Sequence, residues 1–205
     1  MHRRLLLLIA LAAATPARAE PCRGPEGLGQ PRGEPAMVEG AFHRAAGRGL
    51  ACVLPAEHGQ AIERAEKPVS YLPCLKIGTV AIGDERGKIE AVLGQPDRVM
   101  PMAEDVEARA YFIPQRSVVR PYYVVTYLRE QAVAVQLIGP PTEMALAFSS
   151  VRLGDNEQQV VDALGLPAGR CPSPRGETWL WPPFPIGVEM KDGVVAAIQV
   201  SWPRR

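Results

Sequence analysis

Residues 80–97 read VAIGDERGKIEAVLGQPD and residues 151–168 read VRLGDNEQQVVDALGLPA, and the two align without a gap at an offset of 71. Six of the eighteen positions are identical: Val80/Val151, Gly83/Gly154, Asp84/Asp155, Leu93/Leu164, Gly94/Gly165 and Pro96/Pro167. Typical composition would give about one match by chance. Self-similarity at a fixed spacing constrains a fold strongly, because both copies must satisfy one local backbone plan.

Each copy reads as one short helix. Asp84 and Asp155 are the predicted N-caps, since a carboxylate there can accept from the orphan amides of the first turn. Gln158 follows Asp155 at capping-box spacing, whereas the first copy has Gly87 there. Ile89, Val92 and Leu93, like Val160, Ala163 and Leu164, recur at i, i+3, i+4 and give each helix one apolar stripe. Gly94 and Gly165 suit the C-terminal turn, and Pro96 and Pro167 prevent continuation. A helix of about nine residues is not stable alone, so each must dock.

Strand patterns follow each helix: 108–113, 122–129 and 132–138 after the first, then 178–181, 186–191 and 194–202 after the second. Tyr, Val and Thr at period two suit a pleated surface. Asp192-Gly193 is a type I′ hairpin signal. Gly139-Pro140-Pro141 reads as a linker, and Pro182-Pro183-Phe184-Pro185 as an exposed loop. The expected fold class is therefore α+β, with a first repeat over 71–139 and a second over 140–205.

The string FSSVRLGDNEQQVVDALGLPAGRC, 148–171, resembles the helix–loop–helix of the β-lactamase inhibitory protein fold. The pattern of Gly, cap, helix and Leu-Gly-x-Pro is also similar to the BamE/SmpA-like outer-membrane assembly family. The resemblance covers about 71–205 in two copies. It implies two tandem units, each a short helix pair packed on a small antiparallel β-sheet. The cap is Asp84 or Asp155 where those families usually have Thr, and the lipid-anchor Cys of the assembly family is missing. Cys171 falls where the inhibitory proteins carry a disulfide Cys, but no Cys follows in the next strand, so their disulfide scheme does not carry over.

The N-terminus reads as an address. His2, Arg3 and Arg4 precede an apolar run from Leu5 to Ala14, and Ala17-Arg18-Ala19 is a small-x-small cleavage site. The run is too short to span a bilayer, which takes about 20 residues, and no second long apolar stretch follows. The expected location is periplasmic or secreted, after cleavage of a 1–19 signal peptide near Ala19. Residues 20–70 lie outside the repeat and read as an extension that is partly disordered or helical, with helices suggested over 37–54 and 56–66. Export favours disulfides among Cys22, Cys52, Cys74 and Cys171. Cys52–Cys74 is preferred because it closes the shorter loop, leaving Cys22–Cys171 to tie the extension to the second unit.

Catalytic patterns are largely missing. No phosphate-binding glycine loop, nucleophile elbow or dinucleotide fingerprint occurs. His43 and His58 lack metal-ligand spacing, and no cofactor is expected. Cleavage would remove Arg3, Arg4 and Arg18, leaving 20 basic against 22 acidic residues, a balance that gives no reason to expect a nucleic acid partner. The expectation is a non-enzyme: an exported protein-binding or scaffold module, with a role in cell-envelope assembly and another envelope or secreted protein as partner. Two alternatives stay open, an inhibitor of a secreted or periplasmic enzyme and a small hydrolase using Cys52 with His43 or His58. Tyr122, Tyr123, Tyr127, Trp179 and Trp181 form the predicted protein-binding face, since exposed aromatics dominate interface hot spots.

Overall fold

The computed structural model describes residues 39–45, 49–55, 68–144 and 146–202. The predicted signal peptide, the 20–38 segment with Cys22, the helix expected over 56–66 and His58 lie outside these residues.

Strands β1 (Ala41–Ala45) and β2 (Gly49–Val53) form an antiparallel hairpin with Phe42 opposite Cys52. A 3-10 helix, Pro68–Cys74, leads into the short hairpin β3 (Lys76–Ile77) and β4 (Val80–Ala81). Helix α1 (Arg86–Leu93) follows, then the meander β5 (Arg98–Ala103), β6 (Val106–Phe112), β7 (Tyr122–Leu128) and β8 (Gln131–Ile138). The second half runs through the hairpin β9 (Ala147–Phe148) and β10 (Val151–Arg152), helix α2 (Glu157–Leu164), and β11 (Gly169–Ser173), β12 (Gly176–Leu180), β13 (Ile186–Lys191) and β14 (Val194–Ser201).

This architecture corrects the expected fold class. The protein is predominantly β, and among the described residues each meander is accompanied by one eight-residue α-helix and not by a pair of them. Nor does each meander form a sheet of its own. All eight strands make one antiparallel sheet in the order β11-β12-β13-β14-β8-β7-β6-β5. The last strand of one meander pairs with the last of the other, Leu137 opposite Ile198 and Val135 opposite Val200. The tandem BamE-like reading, with helix pairs on separate small sheets, is thereby overturned. So is the helical reading of 37–54, whose described part is the β1–β2 hairpin.

The predicted N-caps are also displaced. Asp84 Oδ2 accepts from the Ala81 amide at 3.0 Å, and Asp155 Oδ2 from the Arg152 amide at 2.7 Å. Both carboxylates thus close the turn before the helix. That turn is fastened to the sheet by paired main-chain bonds: Gly83 N–H to Ala132 O and Ala132 N–H to Asp84 O, then Gly154 N–H to Val195 O and Val195 N–H to Asp155 O. The N-caps are Glu85, which makes no side-chain cap, and Asn156, which forms a reciprocal capping box with Gln159. Gly94 and Gly165 take positive φ at the helix ends, and Asp192 and Gly193 both do so in the β13–β14 turn.

The core lies on one face of the sheet. Tyr123, Val125 and Tyr127 of β7, Val135 and Leu137 of β8, and Ile198 and Val200 of β14 meet Ile89 of α1 and Val160 and Leu164 of α2. Phe42 and Tyr71 reach the same cluster through Phe184, whose ring lies 5.0 and 5.1 Å from theirs. Phe184 therefore points inward from a loop that the sequence suggested was simply exposed.

Both edges carry a proline inside the strand, Pro101 in β5 and Pro172 in β11. The bonds Ile113 N–H to Pro121 O and Ser201 N–H to Pro185 O fix the phase of each ladder. By alternation, the main-chain nitrogens of Pro101 and Pro172 lie on the free edges. Each edge thus lacks a donor where an incoming strand would pair. Replacing both prolines by Thr is expected to produce concentration-dependent self-association in sedimentation velocity; a variant as monodisperse as the parent chain would count against this role.

Candidate protein-binding face

Strand alternation gives the sheet a second face, and among the described residues no member of the core cluster from β12 to β14 or from β6 to β8 needs it. One cross-strand row on this face runs through Thr178, Glu189, Ala197, Ile138, Tyr122 and Phe112. The next runs through Leu180, Gly187, Gln199, Gln136, Val124 and Ala110. The large side chains here are half-buried, as Tyr122, Val124, Ile138 and Leu180 are. At the centre, where β8 meets β14, the amides of Gln136 and Gln199 are bonded at 2.6 Å. Glu189 carries the buried charge on this side, and it is bonded to Ser173 at 2.6 Å and to Arg175 at 2.8 Å. The face is therefore broad, mostly apolar and locally neutral.

Four of the five aromatics predicted to bind a partner are elsewhere. Tyr123, Tyr127, Trp179 and Trp181 are all buried on the core side. Their polar atoms are satisfied internally, as buried Tyr and Trp require. Tyr123 donates to Ile77 O at 3.0 Å, and the Tyr111 and Tyr127 hydroxyls are 3.1 Å apart. Trp179 Nε1 donates to Glu177 at 2.7 Å with Arg170 stacked 4.2 Å over its ring, and Trp181 Nε1 donates to Gly165 O at 3.2 Å. Burial raises the Tyr123 and Tyr127 hydroxyls well above the ordinary tyrosine value. Only Tyr122 of the five lies on the open face, its ring 5.1 Å from Phe112.

Tyr127 sits beneath a charged network. Arg86 pairs with Glu107 at 2.7 Å and Glu130 at 3.2 Å, Arg109 pairs with Glu107 and Glu90, and both guanidiniums lie over the Tyr127 ring. Every acid in this group has a cation beside it, so it reads as the seal between α1 and the sheet. Glu107 stands in β6, where both arginines reach it.

The catalytic alternative loses its nucleophile. Cys52 is bonded to Cys74, with Cα atoms 5.8 Å apart, and among the described residues no cysteine is free. Cys171 is also disulfide-bonded. His43 is exposed on β1, at a groove of about 790 Å³ that also holds the Lys76–Glu39 ion pair. Lys76 holds the Glu39 carboxyl below its usual range. Among the described residues, no three His, Cys, Asp or Glu side chains gather as a metal site. Replacing Cys52 and Cys74 together by Ser is expected to cost about 3 kcal/mol, because the bond closes a loop of 22 residues. Urea denaturation of the two chains measures this, and equal midpoints would show that the crosslink contributes nothing.

No known protein family matches this sequence, and no curated protein does. Among solved structures, one similar chain is a cysteine-rich secretory protein from Staphylococcus aureus subsp. aureus Mu50, 17% identical with a TM-score of 0.39. The match covers 58% of this chain and 43% of that protein, so this chain spans less than half of its length. At that level the likeness assigns neither fold nor function. Among the described residues, no helix is long and apolar enough to cross a membrane.

Proposed function

We propose that this chain is an exported, non-catalytic protein-binding or scaffold module, whose partner is another envelope or secreted protein. The observation that supports this reading most is the open face of the eight-stranded sheet. Half-exposed Tyr122, Val124, Ile138 and Leu180 lie there around small and amide side chains, with little net charge. A rigid sheet offers such a face at low entropic cost, since its backbone is already ordered. The disulfide favours an oxidising compartment, where such bonds persist. A neutral face also suits a protein better than a nucleic acid, whose affinity comes from phosphate contacts.

The test is capture from periplasmic or culture extract with the intact chain as bait, followed by affinity measurement on the partner identified. Tyr122→Ala and Val124→Asp are each expected to weaken that complex by about 30-fold, the size of an interface anchor. Their melting temperatures report whether folding is affected. An unchanged affinity in both variants would overturn the open-face reading, and a captured enzyme that is inhibited on binding would replace scaffold by inhibitor.

A further inference from the structure

We infer that the loop between β6 and β7, residues 113–121, is a docking tip for an anionic lipid surface. This goes beyond the open-face proposal and does not depend on it. At the loop apex Val118 is 99% exposed and Val119 64% exposed. Two adjacent β-branched residues thus stand in water with no apolar neighbour covering them. Arg116 and Arg120 flank them, both exposed. No Asp or Glu occurs from position 108 to position 129. Asp97, at the neck, accepts from the Phe112 amide at 2.8 Å.

The tip is held in shape. Ile113 N–H donates to Pro121 O at 2.9 Å and closes the neck, and the Gln115 amide donates to Val119 O at 2.8 Å across the loop. Pro114 and Pro121 limit the backbone at both ends. Pro121 also packs on Gly139 so closely that a Cβ there would meet it at 2.7 Å. The valines are therefore presented, and little ordering remains to be done on contact. Behind them the Phe112 and Tyr122 rings lie 5.1 Å apart, with Arg120 5.3 Å over Phe112.

The tip combines an apolar apex, arginines beside it and an aromatic pair behind, the three kinds of group that a bilayer interface takes up. Apolar groups enter the acyl boundary, aromatic rings sit at headgroup level and guanidiniums meet the lipid phosphates. A convex tip with two valines makes no pocket and fills none, which favours a fluid lipid surface over a shaped protein site. Charge selects the lipid: the tip carries arginines only, so it favours acidic headgroups over zwitterionic ones.

The experiment is flotation of the full chain with phosphatidylethanolamine/phosphatidylglycerol vesicles and with pure phosphatidylcholine vesicles. Binding to the anionic vesicles is expected to be at least about tenfold tighter and to weaken with salt. Arg116→Gln with Arg120→Gln is expected to lower it by about 30-fold. Val118→Asp with Val119→Asp is expected to abolish it, with melting temperature unchanged because the apex is solvent-exposed. A Val118→Trp reporter is expected to shift its emission to the blue on anionic vesicles only. No binding by the parent chain, equal binding to both vesicle types, or variants that float like the parent would each overturn the inference. A loop that instead crosslinks to the captured protein partner would do so as well.

Discussion

Trp179→Ala is expected to destabilise the fold by about 3–5 kcal/mol, as large-to-small changes of buried aromatics do. Trp179 is fully buried on β12, 6.4 Å from the Trp181 ring and stacked beneath Arg170. Its removal leaves a cavity against the core and takes the indole donor from Glu177. A loss of that size is a large part of the 5–15 kcal/mol that typically holds a domain together. Urea or thermal unfolding measures it. A variant that unfolds like the parent chain but fails to bind a partner would return Trp179 to the role that its sequence context suggested.

Alkali is expected to unfold the protein well before it damages most soluble domains. Burial raises the Tyr123 and Tyr127 hydroxyls above the unfolded value of 10.0. Below that value both states are protonated and neither residue makes stability depend on pH. Above it the unfolded chain releases protons that the folded chain retains, so the unfolded state binds fewer and stability falls as pH rises. Each residue removes about 1.4 kcal/mol per pH unit until its folded value is reached. Denaturation series below and above pH 10 report this slope. Tyr123→Phe and Tyr127→Phe are each expected to flatten it while weakening the fold near neutrality through a lost hydrogen bond. A slope indifferent to both substitutions would show that other groups set it.

Local grammar was legible where a residue acts on its immediate neighbours. The glycines at 94 and 165, the Asp192-Gly193 turn, the central strands and the Cys52–Cys74 pairing all follow from short-range rules. The capping error is instructive. Asp84 and Asp155 are close enough to the helices to cap them, but their carboxylates find the amides of Ala81 and Arg152 in the turn behind. Only the three-dimensional turn decides between those donors. Strands β5 and β11 were missed because RVMPMA and GRCPS hold a proline and do not alternate, as suits edges. The hairpin at 41–53 was taken for a helix because AFHRA and GLACV have little β-branching. Its pairing is supplied by the other strand, and propensity alone does not register that.

The candidate site was half legible. Period-two alternation correctly divided Tyr122 from Tyr123 and Tyr127, but it cannot say which set is covered. That answer came from Ile77, Ile89 and the other side chains brought over β7 from distant parts of the chain. Nor could the sequence show that β8 would pair with β14, since either strand would have served as the edge of a separate sheet. The arginine-flanked valines at 118 and 119 carry no periodicity, so only their exposure distinguishes them.

The β8–β14 seam also sets a timetable. A chain is made, and threaded through any export pore, from its N-terminus onward. Ser201, at the far end of β14, lies 63 residues beyond Ile138. During that interval the first meander has its outer flank guarded by Pro101 while its inner flank, β8, waits unpaired. An unguarded strand awaiting its mate is the kind of surface that recruits a neighbouring nascent chain. The period of greatest aggregation hazard therefore falls late in biogenesis, and truncations after Ile138 but before Val194 would make it permanent.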